Sequence, residues 1–353
     1  MIETLERFDL EALDRFDAVI DVRSPAEFAH DHIPGAVSLP VLDDAERARV
    51  GQIYVQESRL KARRIGAALV ARNIALHLEG PLRDKPGSFA PLVYCWRGGQ
   101  RSNALATVLS QVGWRIWVLR GGYKTYRRWI TAALYDAEPT FHAILLDGDT
   151  GSAKTDVLGR LADLGLQTLD LEAMAEHRGS LFGAIPGHSQ PSQKLFETRL
   201  VHALNELDLA RPVVIEAESS KIGEVMAPPM LWKAMLAAPY IELSAPAEVR
   251  ARYLTQAYGD IVCDPAALEA TLAKLPRHLG RKSLEAWREL ARAGAFEALA
   301  LALIESHYDP AYRRSRRQGA RRSLGTVLLK RLGALDRQRA TEQVAALVRA
   351  FTG

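Results

Sequence analysis

The stretch PLVYCWRGGQRS, residues 91–102, places a cysteine directly after a run of apolar residues. The apolar run predicts a buried parallel strand, and the residues after it follow a helical pattern. Cys95 then lies at a strand-to-helix turn, where backbone N–H groups converge and the helix N-terminus favours negative charge. Such a turn stabilises a thiolate and binds an anion, and Arg97 and Arg101 add cationic donors. We predict that these three residues are catalytic.

A second strand–loop–helix pattern follows, with FHAILL at residues 141–146 and DGDTGSAKT at residues 147–155. Backbone N–H groups of such a loop wrap phosphates, the lysine neutralises their charge, and the threonine hydroxyl binds Mg²⁺. Thr155 is therefore the predicted metal ligand, and Lys154 is also predicted to be catalytic. The predicted phosphate-binding residues are Gly148, Thr150, Gly151, Ser152, Ala153, Lys154 and Thr155.

Ala153 departs from the Walker A pattern G-x-x-x-x-G-K-[ST], which has its second glycine at this position. If the position needs a positive φ, alanine costs on the order of 1 kcal/mol. Phosphate binding tolerates that cost. We therefore expect phosphate binding and do not assume hydrolysis of ATP or GTP.

Polar residues collect around glycines in the segments that follow the loop. The strand at residues 212–216 delivers Glu216 and Glu218 at its C-terminal end, where a Walker B-like acid belongs, and either carboxylate could hold a metal-bound water. Strand-end acids are also common without a function, so both interpretations stay open. The predicted polar site residues are Asp170, Glu172, His177, Arg178, Ser180, Gln193, Glu216, Glu218, Ser219 and Lys221.

The composition fits a two-domain globular protein. The 353 residues are 48% apolar and 25% charged, with a net charge of +4. The N-terminus lacks the features of a signal peptide, and no uncharged apolar run reaches 18 residues, so we expect a cytoplasmic protein that has no membrane partner. The two cysteines lack metal-site spacing and are single thiols, and Cys263 is assigned no role. The predicted domains are residues 1–137 and 138–353.

The first half resembles the rhodanese family over roughly residues 5–135. The resemblance rests on Asp21-Val22-Arg23, on the turn at residues 32–36, on the Cys95 loop and on Leu119-Arg120-Gly121-Gly122. It implies that Cys95 carries sulfur or selenium. Five residues separate Cys95 from Arg101, which is similar to phosphatase-like relatives with a longer loop and makes selenophosphate or phosphate as plausible a ligand as thiosulfate.

The whole chain resembles the tRNA 2-selenouridine synthase family, in which a rhodanese domain is fused to a P-loop domain. The implied fold is α/β: a rhodanese-like α/β domain, then a P-loop NTPase-like α/β domain with a helical, basic C-terminal extension. The implied reaction on wobble 2-thiouridine in tRNA is S-geranylation by geranyl diphosphate, then exchange of the S-geranyl group for selenium from selenophosphate. No tightly bound cofactor is implied, and Mg²⁺ stays open.

Clusters of cations, some interleaved with aromatic residues, support RNA binding from the residues alone. A helix predicted within residues 51–78 carries further cations, for which a solvated face is the simpler interpretation. The predicted RNA-binding residues are Lys124, Arg127, Arg128, Arg281, Lys282, Arg313, Arg314, Arg316, Arg317, Arg321 and Arg322.

Three other functions fit parts of this sequence. They are a sulfurtransferase fused to a nucleotide kinase or ATPase, a phosphatase that uses the C-x5-R loop, and a non-enzymatic RNA-binding scaffold. For a geranyl chain, the segment at residues 225–232 is a candidate pocket, although core packing is the more common use of such residues.

Overall fold

The structure, a computed structural model, describes residues 1–180, 182–275, 280–316 and 321–352, without the side chains of residues 313–316 and 352. The chain forms two compact units. Unit 1 comprises Met1–Asp136 and Glu197–Val201, and unit 2 comprises Ala137–Phe196 and His202–Gly353. Both are built on parallel sheets with helices, which confirms the predicted α/β class.

Unit 1 has a five-stranded parallel sheet in the order β1-β5-β4-β2-β3. Its strands are β1 (Ile2–Leu5), β2 (Val19–Asp21), β3 (Val37–Ser38), β4 (Leu92–Tyr94) and β5 (Ile116–Leu119). Its helices are α1 (Pro25–His30), α2 (Asp44–Gln56), α3 (Arg59–Glu79), α4 (Gln100–Val112) and α5 (Tyr123–Thr131).

The inserted segment is a pair of packed helices, where the sequence predicted one. The helix α2 ends at Gln56, and Ser58 begins α3 as an N-cap whose side chain accepts a hydrogen bond from the N–H of Lys61. A serine N-cap satisfies a free donor of the new helix and so favours a break at this point.

Unit 2 has a five-stranded parallel sheet in the order β12-β11-β6-β8-β7. Its strands are β6 (Ala143–Gly148), β7 (Gln167–Leu169), β8 (Val213–Glu216), β11 (Tyr240–Ser244) and β12 (Ser323–Leu328), and β9 (Lys221–Ile222) and β10 (Val225–Met226) form a separate antiparallel pair. Its helices are α6 (Lys154–Asp163), α7 (Leu171–Ala175), α8 (Gln193–Asn205, of which residues 197–201 belong to unit 1), α9 (Pro229–Ala237), α10 (Ala247–Ala257), α11 (Gly259–Val262), α12 (Pro265–Leu272), α13 (Arg281–Arg292), α14 (Phe296–Leu303), α15 (Asp309–Arg316) and α16 (Ala334–Thr352).

The C-terminal region contains the predicted helices and, in addition, one strand that the sequence did not predict. The strand β12 pairs with β11 at the edge of the sheet, and Val327 packs with Val344 and Val348 of α16 in the same buried cluster. Edge pairing depends on a partner strand far away in sequence, so local periodicity missed it. Among the helices described, none is both long and apolar enough to cross a bilayer.

Candidate active sites in the two units

Cys95 lies between β4 and α4 and is 4% exposed. Its Sγ accepts a hydrogen bond from the N–H of Gly99 at 3.2 Å and lies 3.2 Å from the Oγ of Ser102. Burial raises the pKa of Cys95, but hydrogen bonds from Ser102 and from the backbone of Arg97 and Gly99 outweigh burial, so the pKa falls below its usual value. The loop therefore favours the nucleophilic thiolate.

Gly121 and Gly122, which follow β5, pack closely against the Cys95 loop. The N–H of Tyr123 donates to the carbonyl oxygen of Cys95 at 2.8 Å. Gly122 has a φ of +57°, and a Cβ there would lie 2.1 Å from that same carbonyl oxygen. Only glycine allows this approach, which gives a structural reason for the Leu119-Arg120-Gly121-Gly122 motif.

The two arginines of the loop differ in their surroundings. Arg101 pairs with Glu27 of α1 at 2.6 Å, and its side chain is 17% exposed. Arg97 is exposed. The sequence predicted two anion-binding cations here, whereas the structure has one of them already engaged by a carboxylate. An anion that uses Arg101 must compete with Glu27.

The predicted phosphate loop connects β6 to α6 at the carboxyl edge of the sheet of unit 2. The Nζ of Lys154 donates to the carbonyl oxygen of Gly148 at 2.8 Å, so the side chain folds back over its own loop. Burial lowers the pKa of Lys154, but Tyr312 and the carboxylates of Glu218 and Glu216 outweigh burial and raise it. The lysine is therefore a permanent cation, as binding of phosphate requires.

Ala153 has the conformation that makes the second glycine of a Walker A loop useful, with a φ of +63°. An L-residue pays a steric cost in this left-handed region that glycine does not. We expect Ala153→Gly to raise the free energy of unfolding by up to about 1 kcal/mol, because it relieves this steric cost. The greater conformational freedom of glycine in the unfolded chain offsets part of that gain. Thermal and urea denaturation would measure the change.

The control is Ala162→Gly, the same substitution at an exposed position within α6, where glycine should lower stability by about 1 kcal/mol. Equal destabilisation by both variants would contradict strain at Ala153.

Three carboxylates meet beside the phosphate loop. Oxygens of Glu172, Glu216 and Glu218 lie within 4.8 Å of one another. Glu216 is fully buried, and neither of its oxygens has a hydrogen-bond partner among the described residues. The Oγ1 of Thr155, the predicted metal ligand, donates to Glu172 at 3.1 Å. These are the hard oxygen donors that Mg²⁺ prefers, so the residues present fit a divalent cation.

The same carboxylates predict a pH-dependent stability. Burial, reinforced by like charge, raises the pKa of Glu172 to about 9, and burial with Asp170 raises that of Glu216 to about 8. Between about pH 5 and 9 the folded state therefore holds more protons than the unfolded state, so stability must fall as pH rises. Without divalent cations we expect the free energy of unfolding to drop by at least about 1 kcal/mol from pH 6 to 9.

Glu216→Gln isolates this contribution, since glutamine stays neutral at every pH. Thermal unfolding of the variant and the wild type, in EDTA and in MgCl₂, would measure it. We expect the variant to lose less stability on going to pH 9, and MgCl₂ to stabilise only the wild type. Parallel pH curves for the two proteins would contradict the raised pKa of Glu216, and equal stabilisation by MgCl₂ would contradict a cation site that uses this carboxylate.

Sequence analysis missed the residues that hold the phosphate loop from outside. Arg250 is 3% exposed, and its guanidinium donates to the carbonyl oxygen of Thr150 at 3.1 Å and to the carboxylate of Asp309 at 2.8 and 2.9 Å. The Nζ of Lys154 lies 5.6 Å from the ring centre of Tyr312. Nothing local marks these residues, because an arginine or tyrosine in a helix has no pattern that distinguishes a buried partner from a solvated one.

Four of the predicted polar residues line the cavity at the phosphate loop: Glu172, Arg178, Ser180 and Glu218. Two others have structural roles, and one of them, Asp170, also raises the pKa of Glu216 through its charge. Asp170 is the N-cap of α7 and accepts a hydrogen bond from the N–H of Ala173. Gln193 bonds to both the N–H and the carbonyl of Met226, and so holds β10 in place.

His177, Ser219 and Lys221 do not line the cavity at the phosphate loop. His177 Nδ1 accepts a hydrogen bond from the N–H of Gly179. The Oγ of Ser219 donates to the carbonyl oxygen of Lys221, and Lys221 is an exposed residue. Arg178 pairs with Asp260 at 2.6 Å. The apolar segment at residues 225–232 does not line the cavity at the phosphate loop, and its residues Met230 and Leu231 are buried.

The predicted RNA-binding residues fall into three groups. Lys124, Arg128, Arg281, Lys282 and Arg322 are exposed, and Arg321 is half-buried. Arg313, Arg314 and Arg316 lie in α15 with side chains outside the description, and Arg317 lies outside the described residues.

Arg127 does not fit its predicted role, because its guanidinium pairs with Glu197 within unit 1 and only 17% of its side chain is exposed. The interleaved aromatic residue Tyr126 is fully buried and packs edge-on against Phe8. The helix α5 is amphipathic, so aromatic and cationic residues that alternate in sequence fall on opposite faces.

Both halves of the chain match known protein families. Residues 141–327 match the AAA domain of tRNA 2-selenouridine synthase, and residues 6–128 match the rhodanese-like domain. The tRNA 2-selenouridine synthase of Aeromonas salmonicida (strain A449) is 34% identical over 329 residues, covering 83% of this chain and 86% of that protein. That of Chromohalobacter salexigens is 32% identical over 325 residues, covering 84% and 87%. The chain therefore belongs to the tRNA 2-selenouridine synthase family.

Proposed function

We propose that this chain replaces the sulfur of wobble 2-thiouridine in tRNA by selenium, in two steps. In the first, the sulfur attacks the allylic carbon of geranyl diphosphate, a C–S bond forms, and diphosphate leaves. In the second, selenium from selenophosphate attacks the base carbon that bears the S-geranyl group. The bond between that carbon and sulfur breaks, and geranyl thiol leaves. Water then attacks phosphorus, the P–Se bond breaks, and phosphate is released. Membership of the family supports the tRNA substrate, and a cytoplasmic location stays a prediction.

The observation that carries the alkylation step is the cavity at the phosphate loop. It is lined by loop residues 150–155, which include Lys154, and by Glu172 and Glu218. A diphosphate bound there meets backbone N–H groups and a permanent cation, which stabilise the charge that develops on the leaving group. Mg²⁺ on Thr155 and the carboxylate cluster would neutralise the same oxygens. Loss of diphosphate needs no activated water, which suits a loop with alanine at position 153.

The Cys95 loop of unit 1 supports the selenium step. Its backbone N–H groups lower the pKa of the thiol, and the same groups favour a bound anion. Cys95 can act there by forming a covalent selenium adduct or by helping to bind selenophosphate. In the first case the thiolate attacks selenium, and phosphorus leaves as phosphite with the electron pair of the P–Se bond. A thiol must later attack the sulfur of the S–Se adduct, which forms a disulfide and releases the selenium.

Mass spectrometry of nucleosides from 2-thiouridine-containing tRNA tests this function. The protein is incubated with geranyl diphosphate, with and without selenophosphate. We expect the S-geranyl nucleoside in the first reaction and the selenium nucleoside in the second. No modification of tRNA that the protein demonstrably binds would contradict the proposal. Saturable ATP turnover without tRNA binding would then favour the kinase fusion, and Cys95-dependent release of phosphate from aryl phosphates would favour the phosphatase.

A further inference from the structure

We propose that a second, apolar cavity of unit 2 holds the hydrocarbon chain of a prenyl diphosphate whose head group lies on the phosphate loop. This inference rests on the proposed function and gives it a location. The apolar cavity lies among residues of α10, α11, α12 and α14. It shares part of its wall with the cavity at the phosphate loop. The shared residues are Thr150, Ser180, Leu254, Tyr258 and Tyr308.

The interior of the apolar cavity, beyond the shared wall, is lined by hydrocarbon side chains. They come from α11, α12 and α14 and include Ile261, Leu268, Phe296, Leu299 and Leu303, together with Phe182. Several of them belong to a buried cluster of the helical region, so the cavity is part of a packed core. A flexible apolar chain gains free energy by leaving water for such a space.

The lack of polar partners in this interior argues against a nucleotide base. Among the described lining residues beyond the shared wall, Thr255 alone has a polar side-chain group, and its hydroxyl already donates to the carbonyl of Arg252 at 2.8 Å. A base buried there would leave its donors and acceptors unpaired, which costs free energy. A hydrocarbon chain has no such groups.

The polar boundary of the cavity lies at the shared wall. The hydroxyl of Ser180 and that of Tyr258 lie 3.0 Å apart and satisfy each other. Thr150, on the same wall, belongs to the phosphate loop. A molecule with a diphosphate head and an apolar tail therefore matches the two cavities in order, with its allylic carbon at the boundary between them.

Binding measurements compare geranyl diphosphate with inorganic pyrophosphate on the full-length protein. Each buried methylene strengthens binding roughly fourfold, so we expect wild type to prefer geranyl diphosphate by at least about 100-fold. Ala300 lines the cavity on α14, and Ala300→Phe fills it. In this variant we expect the preference for geranyl diphosphate over pyrophosphate to fall at least about tenfold, while the affinity for pyrophosphate is unchanged.

The matched control is Ala298→Phe, at an exposed position of the same helix, which should keep the wild-type preference. The smaller Ala300→Leu should give an intermediate loss and covers the case in which Ala300→Phe fails to fold. In the opposite direction, Phe296→Ala enlarges the cavity and should shift preference towards a fifteen-carbon prenyl diphosphate.

Each outcome separates this location from the proposed function. An unchanged preference in both Ala300 variants overturns the location, and geranylation of tRNA by the wild type leaves the function intact. Two results together would identify the cavity as a nucleotide-base pocket and overturn the inference. They are a wild type without preference for geranyl diphosphate over pyrophosphate, and an affinity for ATP that falls in Ala300→Phe. A protein that binds neither geranyl diphosphate nor pyrophosphate overturns both.

Discussion

Lys154→Ala is expected to lower the rate of geranyl transfer to tRNA by about 10²- to 10³-fold, since removal of one preorganised group at a developing charge has effects of this size. The ammonium of Lys154 lies over the loop at Gly148, and neighbouring Tyr312, Glu218 and Glu216 keep it charged. Alanine leaves the diphosphate without this cation when the C–O bond breaks. Quantitation of the S-geranyl nucleoside in single-turnover reactions would measure the loss.

The matched control is Lys330→Ala, which removes a cation from an exposed position of unit 2 outside the site. We expect no change in the rate. Lys154→Arg keeps the charge but not the compact ammonium, and should recover part of the activity. A rate in Lys154→Ala within a few-fold of wild type would show that the phosphate loop does not serve the alkylation step.

Cys95→Ser is expected to abolish conversion of S-geranylated tRNA to selenouridine tRNA, by 10³-fold or more, as loss of an essential nucleophile does. A serine hydroxyl stays protonated where the thiol, with its lowered pKa, ionises. The hydroxyl can keep the hydrogen bonds of the loop, so the fold should persist. Geranylation should continue at the wild-type rate, because its proposed site lies in unit 2.

Cys263→Ser is the control for the thiol, since Cys263 is exposed. Pre-formed S-geranyl tRNA supplied with selenophosphate separates the second step from the first. Equal loss of both steps in Cys95→Ser would show that the thiol supports folding or tRNA binding, and undiminished selenium incorporation would remove Cys95 from the mechanism. The covalent alternative predicts selenium bound to the wild-type protein and absent from Cys95→Ser.

The sequence by itself determined both strand–loop–helix turns. The Cys95 loop and the loop ending at Thr155 lie where their residues predicted, because each is one contiguous segment whose geometry follows from a strand, glycines and a helix start. The positive φ that would make alanine costly at position 153 could also be anticipated, since the pattern places glycine there.

Tertiary structure alone decided which distant groups meet these turns. Three such contacts depend on packing between segments far apart in the chain: Arg250 with Asp309, Glu172 with the two strand-end carboxylates, and Arg127 with Glu197. The apolar cavity beside the phosphate loop has the same origin, because its walls come from four helical segments, each of which resembles ordinary core. Local periodicity records which face of a helix is apolar, but the space between faces exists only once the helices have packed.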